Sequence, residues 1–269
     1  MKLLVALIVA AHAASAAGAE LPLWEVGFGP FPSTYPTYRG SRDRQNYLLP
    51  FPYLLYRGDI LRIDREGIRA QLFDSEGIHV NISANGSIPA ESNSHSARQG
   101  MPDLDATFEI GPSLDILVSE PSPRQSVKIR LPVRAVIATD FRHAGGEGWL
   151  FNPQFNWHRE GGTAGWDAGV SLGPLFATRK YHAYYYEVAP EFSTAARPEY
   201  RASAGYSGTA LAGSMSRRFE KFWVGGFVRY DFLGGAAFDD SPLVQTEHSL
   251  MGGVAVAWVF ATSKQTVSR

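Results

Sequence analysis

From Ser126 to Phe141 the chain alternates strictly between apolar and polar positions. Val127, Ile129, Leu131, Val133, Ala135 and Ile137 fall on one face, and Ser126, Lys128, Arg130, Pro132, Arg134, Val136 and Ala138 fall on the other. A period of two is that of a β-strand, and no period of 3.6 fits it. The preceding stretch, Leu104 to Val118, alternates in the same way. Ala106, Phe108, Ile110, Pro112, Leu114, Ile116 and Val118 share a face, with Asp105, Thr107, Glu109, Gly111, Ser113, Asp115 and Leu117 opposite. Ser119 to Gln125, with two prolines, reads as the polar connection between them. The pair is therefore a hairpin whose polar face sets acids against bases. A turn centred between Ser122 and Pro123 places Asp115 opposite Arg130, Leu117 opposite Lys128 and Leu114 opposite Leu131.

The same period recurs along the chain. Trp24, Val26 and Phe28 open a first strand, and a loop from Pro30 to Asn46 follows. Leu49, Phe51, Tyr53 and Leu55 form the apolar face of the next strand, with Pro50 and Pro52 on its other face. Two short strands, Ile60–Asp64 and Gly67–Phe73, lead to a turn and to a strand faced by Ile78, Val80, Ile82 and Ala84. A long loop, Pro89 to Asp103, precedes the hairpin, and Thr139 to Gly148 is expected as a loop after it. Trp149 to His158 then divides sharply: Trp149, Phe151, Pro153, Phe155 and Trp157 on one side, Asn152, Gln154, Asn156 and His158 on the other. Beyond it, Trp166 to Phe176 is a strand and Lys180 to Glu199 a tyrosine-rich loop. Tyr200 to Ser216 returns, with Tyr200, Ala202, Ala204, Tyr206, Gly208, Ala210 and Ala212 in phase. Phe222 to Phe232 turns Arg229 and Asp231 away from its apolar face, and Leu250 to Phe260 is the last strand.

Five bulky apolar residues in a row against water invite aggregation, whereas against lipid they are suitable. Short turns also alternate with long loops, as in outer-membrane barrels. The expected fold is all-β: a closed antiparallel transmembrane β-barrel of 12 strands, with 10 as the alternative count.

Composition narrows the function. There is no cysteine, which removes disulfides, thiolate metal sites and a cysteine nucleophile, and a net charge of −1 argues against nucleic acid as a partner. Met1-Lys2, an apolar run from Leu3 to Ala10 and Ala17-Gly18-Ala19 read as a signal peptide over residues 1–19. The mature barrel then starts at Glu20 and spans 20–269, with 261–269 as a tail beyond Phe260.

No residue set points to catalysis. His248 with Ser249, His95 with Ser94 or Ser96, and His143 near Asp140 are the candidates by type. Gly205-Tyr206-Ser207-Gly208 lacks the spacing of a nucleophile elbow. The histidines are scattered away from carboxylate clusters, so no metal or other cofactor is expected. The polar set expected to face the barrel lumen is Asp105, Glu109, Asp115, Lys128, Arg130, Arg134, Asn152, Gln154, Asn156, His158 and Arg229. Its plainer reading is a plug of ion pairs filling a narrow barrel; the alternative is a solute pathway whose charges set selectivity.

Three local marks carry a family resemblance: Tyr38-Arg39-Gly40-Ser41, Pro50-Phe51-Pro52-Tyr53, and Arg197-Pro198-Glu199-Tyr200 leading into Ala204-Gly205-Tyr206. In this order they resemble the MltA-interacting protein/OmpV family of Gram-negative outer-membrane proteins, over nearly the whole mature chain. The resemblance implies a non-enzymatic protein in outer-membrane lipid. It implies a scaffold joining a lytic transglycosylase to a penicillin-binding protein, with a narrow channel for small polar solutes or a surface adhesin as alternatives. The tail after Phe260 departs from the aromatic terminus usual in such barrels.

Overall fold

The computed structural model describes residues 20–58, 61–64, 67–75, 77–92, 97–140, 142–161 and 165–268. The segment read as a signal peptide, 1–19, and the candidate pairs at His95 lie outside them. The described residues form fifteen strands and one short helix. These are β1 (Glu20–Pro22), β2 (Trp24–Pro36), β3 (Arg44–Arg57), β4 (Leu61–Asp64), β5 (Gly67–Ser75), β6 (Ile78–Ser87), β7 (Ala106–Ser122), β8 (Gln125–Thr139), β9 (Ala144–Phe151), β10 (Gln154–Arg159), β11 (Asp167–Ala177), α1 (Arg179–Tyr186), β12 (Gly205–Arg218), β13 (Phe222–Phe232), β14 (His248–Thr262) and β15 (Thr266–Ser268).

From β2 to β8 each strand pairs antiparallel with the next. The run β11 to β14 does the same, and β14 pairs with β2. On its other side β8 pairs with β9 from Val133 to Thr139 and with β10 from Gln125 to Arg130. Both of these pair with β11. Separately, β1 and β15 form a two-stranded ribbon that joins the two ends of the described chain.

The hairpin β7–β8 has the expected register: Asp115 stands opposite Arg130, Leu114 opposite Leu131 and Leu117 opposite Lys128. Its strands run on to Ser122 and Gln125, with register shifts between Leu117 and Ser119 and between Ser119 and Ser122, so the turn is at Pro123-Arg124 and not centred between Ser122 and Pro123 as expected. Other boundaries also move. Pro30 to Pro36, expected as loop, is strand. Pro30 and Pro32 are tolerated because they fall between Phe28 and Ser33, where β2 has no paired residue on β14. The loop expected over 139–148 shrinks to the link between β8 and β9. The strand expected over 149–158 breaks at Asn152-Pro153, where proline offers no donor and the Asn152 side chain donates to the Pro174 carbonyl at 2.8 Å. The tyrosine-rich loop contains α1, and β12 begins at Gly205 rather than at Tyr200.

One face of the sheet is buried and polar; the other is exposed and apolar. Trp149, Phe155, Val170, Leu211, Met215, Val254 and Trp258 all lie on the exposed face, with Trp149 52% and Trp258 55% accessible. Aromatic rings gather near both strand ends on this face. Phe151, Phe176 and Tyr206 sit in series near the longer connections, and Trp258 meets Phe260 near the short turns. On two strands the grouped residues do not mark the exposed face. Tyr53 and Leu55 are buried while Leu48 and Leu54 are exposed, so the Leu49–Leu55 face of β3 turns inward. In β12, Leu211 and Met215 point outward, whereas Ala210 packs inward against the Tyr181 cluster.

Candidate functional site

The strand ends joined by long connections (the loop end) and those joined by short ones (the turn end) enclose two cavities behind the sheet. Between the cavities lies the hairpin's ionic core. Arg130 Nε donates to Asp115 Oδ2 at 3.2 Å, Ser113 Oγ to Asp115 Oδ1 at 2.7 Å, and Asn81 Nδ2 to Asp115 Oδ2 at 3.2 Å. Arg134 Nε donates to Glu109 Oε2 at 2.9 Å and Arg134 Nη1 to Ser83 Oγ at 3.3 Å. Asp115, Glu109 and Arg134 are buried. Burial makes an ion without such partners costly, so each acid here is met by donors from neighbouring strands.

The loop-end cavity, about 410 Å³, is bordered by Glu109, Arg134, Asn152 and Arg229 of the expected set and by Tyr181, Tyr185 and Tyr186 of α1. Asp105 also borders it, but lies one residue ahead of β7 with an exposed side chain; only its carbonyl is engaged, accepting from Tyr184 Oη at 3.3 Å. Helix α1 has no side-chain cap and is held by burial of Tyr181, His182 and Tyr186. Tyr186 stacks on Phe238 with ring centroids 3.7 Å apart, and the two join Tyr38, Val188, Leu233 and Leu243 in one apolar cluster. Four separate connections thus pack over this end.

Arg39 locks them to the strands. Its Nε stands 3.1 Å from Asp231 Oδ1, its Nη1 donates to Ser207 Oγ at 3.3 Å, and its carbonyl accepts from Tyr186 Oη at 2.9 Å. Arg229 grips the same Asp231 through Nε and Nη2, at 2.9 and 2.8 Å. Gly208, at φ +96°, makes the seat: a Cβ there would stand 2.9 Å from Arg39 Nη2 and 2.7 Å from the Phe232 carbonyl. Burial alone would lower the Arg39 pKa, yet the neighbouring Asp231 carboxylate raises it above the ordinary arginine value. Burial pushes the Tyr38 phenol up to about 12 and raises Tyr181 and Tyr186 as well, so all three stay neutral. His182 is lowered, by burial first and by nearby Arg39; its Nδ1 donates to the Ser203 carbonyl at 2.6 Å, and its Nε2 has no partner.

The turn-end cavity, about 670 Å³, is bordered by Lys128, Arg130, Gln154, Asn156 and His158, the rest of the expected set apart from Asp115. Phe31, Phe51, Trp223 and Phe227 form its facing aromatic side. Nearer the turns, Glu25 accepts from Arg57 at 2.7 Å and from Arg218 at 2.6 Å, tying β2, β3 and β12 together.

The expected polar set is therefore not one group but two, separated by the Asp115–Arg130 pair. The inward aromatics, Arg39 and Asn81 were missed as site residues. Asn81 alternates in phase with Ser83 and so was within reach of the pattern. The candidate catalytic pairs are occupied otherwise. His248 Nδ1 meets Tyr230 Oη at 2.6 Å, while Ser249 is buried on the other face of β14. His143 is exposed beside Asp140, which backbone N–H groups of His143 and Arg142 hold down to about 2.

The family described as MltA-interacting protein MipA matches residues 26–260. No curated protein matches the chain. Among solved structures, a bacterial polysaccharide outer membrane secretin is similar at 9% identity and a TM-score of 0.41, covering 89% of this chain and 99% of its own. The Ralstonia pickettii toluene transporter TbuX is similar at 8% identity and a TM-score of 0.27, covering 91% and 71%.

Proposed function

The chain belongs to the MltA-interacting protein MipA family, and we propose that it is a non-enzymatic outer-membrane barrel that organises cell-envelope enzymes from its turn end. In this reading β9 and β10 are one interrupted strand, which makes twelve, and the pairings of β8 and β11 with both close the sheet on itself. The exposed apolar face with aromatic rings near both ends carries the reading, since it matches a lipid belt between two interfaces. The ribbon β1–β15 starts at Glu20, the mature start expected after signal cleavage, and lies with the short turns. Those segments would face the periplasm, and the family's name points to a lytic transglycosylase as partner there, with a penicillin-binding protein as a further one.

Fractionation tests the membrane part: the mature protein should enter the outer membrane and migrate heat-modifiably on gels. A detergent-free soluble monomer would overturn it. Pull-down of murein enzymes from envelope extracts tests the scaffold. The solute-path reading keeps one supporting observation, a series of aromatic rings along the buried face. Bilayer conductance of the refolded protein separates the two, because loops packed over one end predict little current.

A further inference from the structure

The turn-end cavity has two unlike walls. Along one, the rings of Tyr35, Phe227, Phe31, Phe51 and Trp223 follow one another, with successive centroids 6.3, 6.2, 6.0 and 5.3 Å apart. Along the other, β8 and β10 present Lys128, Gln154, Asn156 and His158. Elsewhere behind the sheet, three acids each hold a cation. Arg130 has Asp115, Arg134 has Glu109, and Arg39 and Arg229 share Asp231. Among the described residues, the Lys128 side chain has neither an ion pair nor a hydrogen bond, and the His158 ring likewise makes no hydrogen bond. Asp167, the acid on the same cavity, accepts from the Gly161 backbone N–H at 3.1 Å and serves the turn. Two more polar atoms at this cavity, Ser216 Oγ and Trp223 Nε1, are buried without a partner. A buried donor left unpaired costs free energy, so a cavity lined this way is incomplete without an acceptor.

We propose that the turn-end chamber binds a small solute joining a ring with an apolar face to a carboxylate: an acidic sugar or an aromatic acid. The ring lies along the Phe31–Phe51 wall, where a sugar face or an aromatic ring meets π-surface. The carboxylate sits at Lys128, with the amides of Gln154 and Asn156 beside it. A cavity of this volume is in the range of small-molecule sites, and mostly apolar walls with a few convergent polar groups are their usual make-up. The inference goes beyond scaffolding and holds whether or not the lumen conducts.

Calorimetric titration of the refolded mature protein tests it in two arms, digalacturonate against neutral maltose and 2-naphthoate against neutral 2-naphthylmethanol. At least one acid should bind about tenfold more tightly than its neutral counterpart, and the arm that responds identifies the source. Lys128→Gln should remove that preference and Lys128→Arg should restore it, while Phe51→Leu should weaken acid and neutral ligand alike. Heat-modifiable migration checks that each variant folds. Acids bound no better than neutral ligands, or an acid preference that survives in folded Lys128→Gln, would overturn the proposal.

Discussion

At the loop end, Arg39 and Arg229 converge on a carboxylate with no accessible surface, tyrosines stay neutral under an apolar cluster, and four connections interlock. At the turn end, Lys128 faces a row of aromatic rings with nothing paired to it. Both regions are cavities behind the same sheet, yet their charges serve different ends. A cation whose acid comes from the fold stabilises the fold, and removing it leaves a buried anion behind. A cation without a partner contributes little to stability and is available to a ligand. The difference teaches that polar residues on a sheet's buried face should be sorted by whether they are already paired, not by charge.

The largest expected effect follows from that contrast. Arg39→Met strips one of two cations from Asp231 and should cost about 3–5 kcal/mol, the range for breaking a buried pair. It should lower the temperature of the gel-mobility shift and expose residues 178–204 to protease. Lys128→Gln should leave both unchanged. Equal losses from the two substitutions would erase the distinction between the ends.

Next in size is the pair that separates the chambers. Reversing Asp115 or Arg130 alone should cost roughly 3 kcal/mol by placing like charges in a buried site. Reversing both should recover most of it, because opposed residues on neighbouring strands can pair in either order. Recovery stays incomplete, since Ser113 and Asn81 donate to the carboxylate where it now stands. Double and single reversals of equal stability would refute the pairing as an energetic link.

This pair is also the part of the structure most readable in the sequence. The alternation fixed which residues share a face. The turn falls at Pro123-Arg124 rather than between Ser122 and Pro123, and the register shifts between Leu117 and Ser122 absorb the difference, so Asp115 and Arg130 still oppose one another. The tryptophan-rich face of β9 and β10 was readable for the same reason: only one side was apolar. On β3 the pattern is ambiguous. Leu48 and Leu54 are apolar outside, Phe51, Tyr53 and Leu55 apolar inside, so periodicity gives the strand but not its orientation. Helix α1 was hidden for another reason. Eight residues rich in tyrosine, without a side-chain cap, have little intrinsic helicity, and the helix exists through the burial of three of them. Arg39 gives no signal beyond the family mark, because its partner Asp231 lies more than half the chain away.

A smaller effect is expected from His182. Its pKa in the fold is depressed from an ordinary value of about 6.5, so the folded state favours the neutral ring. The stability this gives is full above about pH 6.5 and is lost as pH falls through the folded pKa. Protonation would put a second cation near Arg39, beneath Phe238 and Tyr186. Protease sensitivity of residues 178–204 should therefore rise on mild acidification, and His182→Phe should flatten the profile. The turn-end Glu25–Arg57–Arg218 cluster contains no histidine and should hold over that window. An identical acid response in His182→Phe would assign the loosening to another group.

The smallest effect on stability, and the most informative about function, is expected at the ribbon. β15 pairs only three residues with β1, and Thr266 Oγ1 donates to Glu20 Oε2 at 3.0 Å on an exposed surface. Exposed pairs of this kind are worth about 1 kcal/mol or less. The ribbon's anchor is stronger, for Leu23 N donates to Ser263 Oγ at 2.8 Å and Ser263 N to the Trp24 carbonyl at 2.9 Å. Removing residues 264–269 spares Ser263 and β14, so the protein should keep its gel shift to within a degree or two. If enzymes dock at the turn end, that deletion should nonetheless weaken their capture from envelope extracts, and so should exchanging the turn Arg217–Glu220. The same deletion should leave acid binding at Lys128 intact, since the ribbon contributes nothing to that cavity. Unchanged capture after both changes, with capture lost instead on trimming the packed loops, would move the docking face to the loop end and reverse the division of labour between the two.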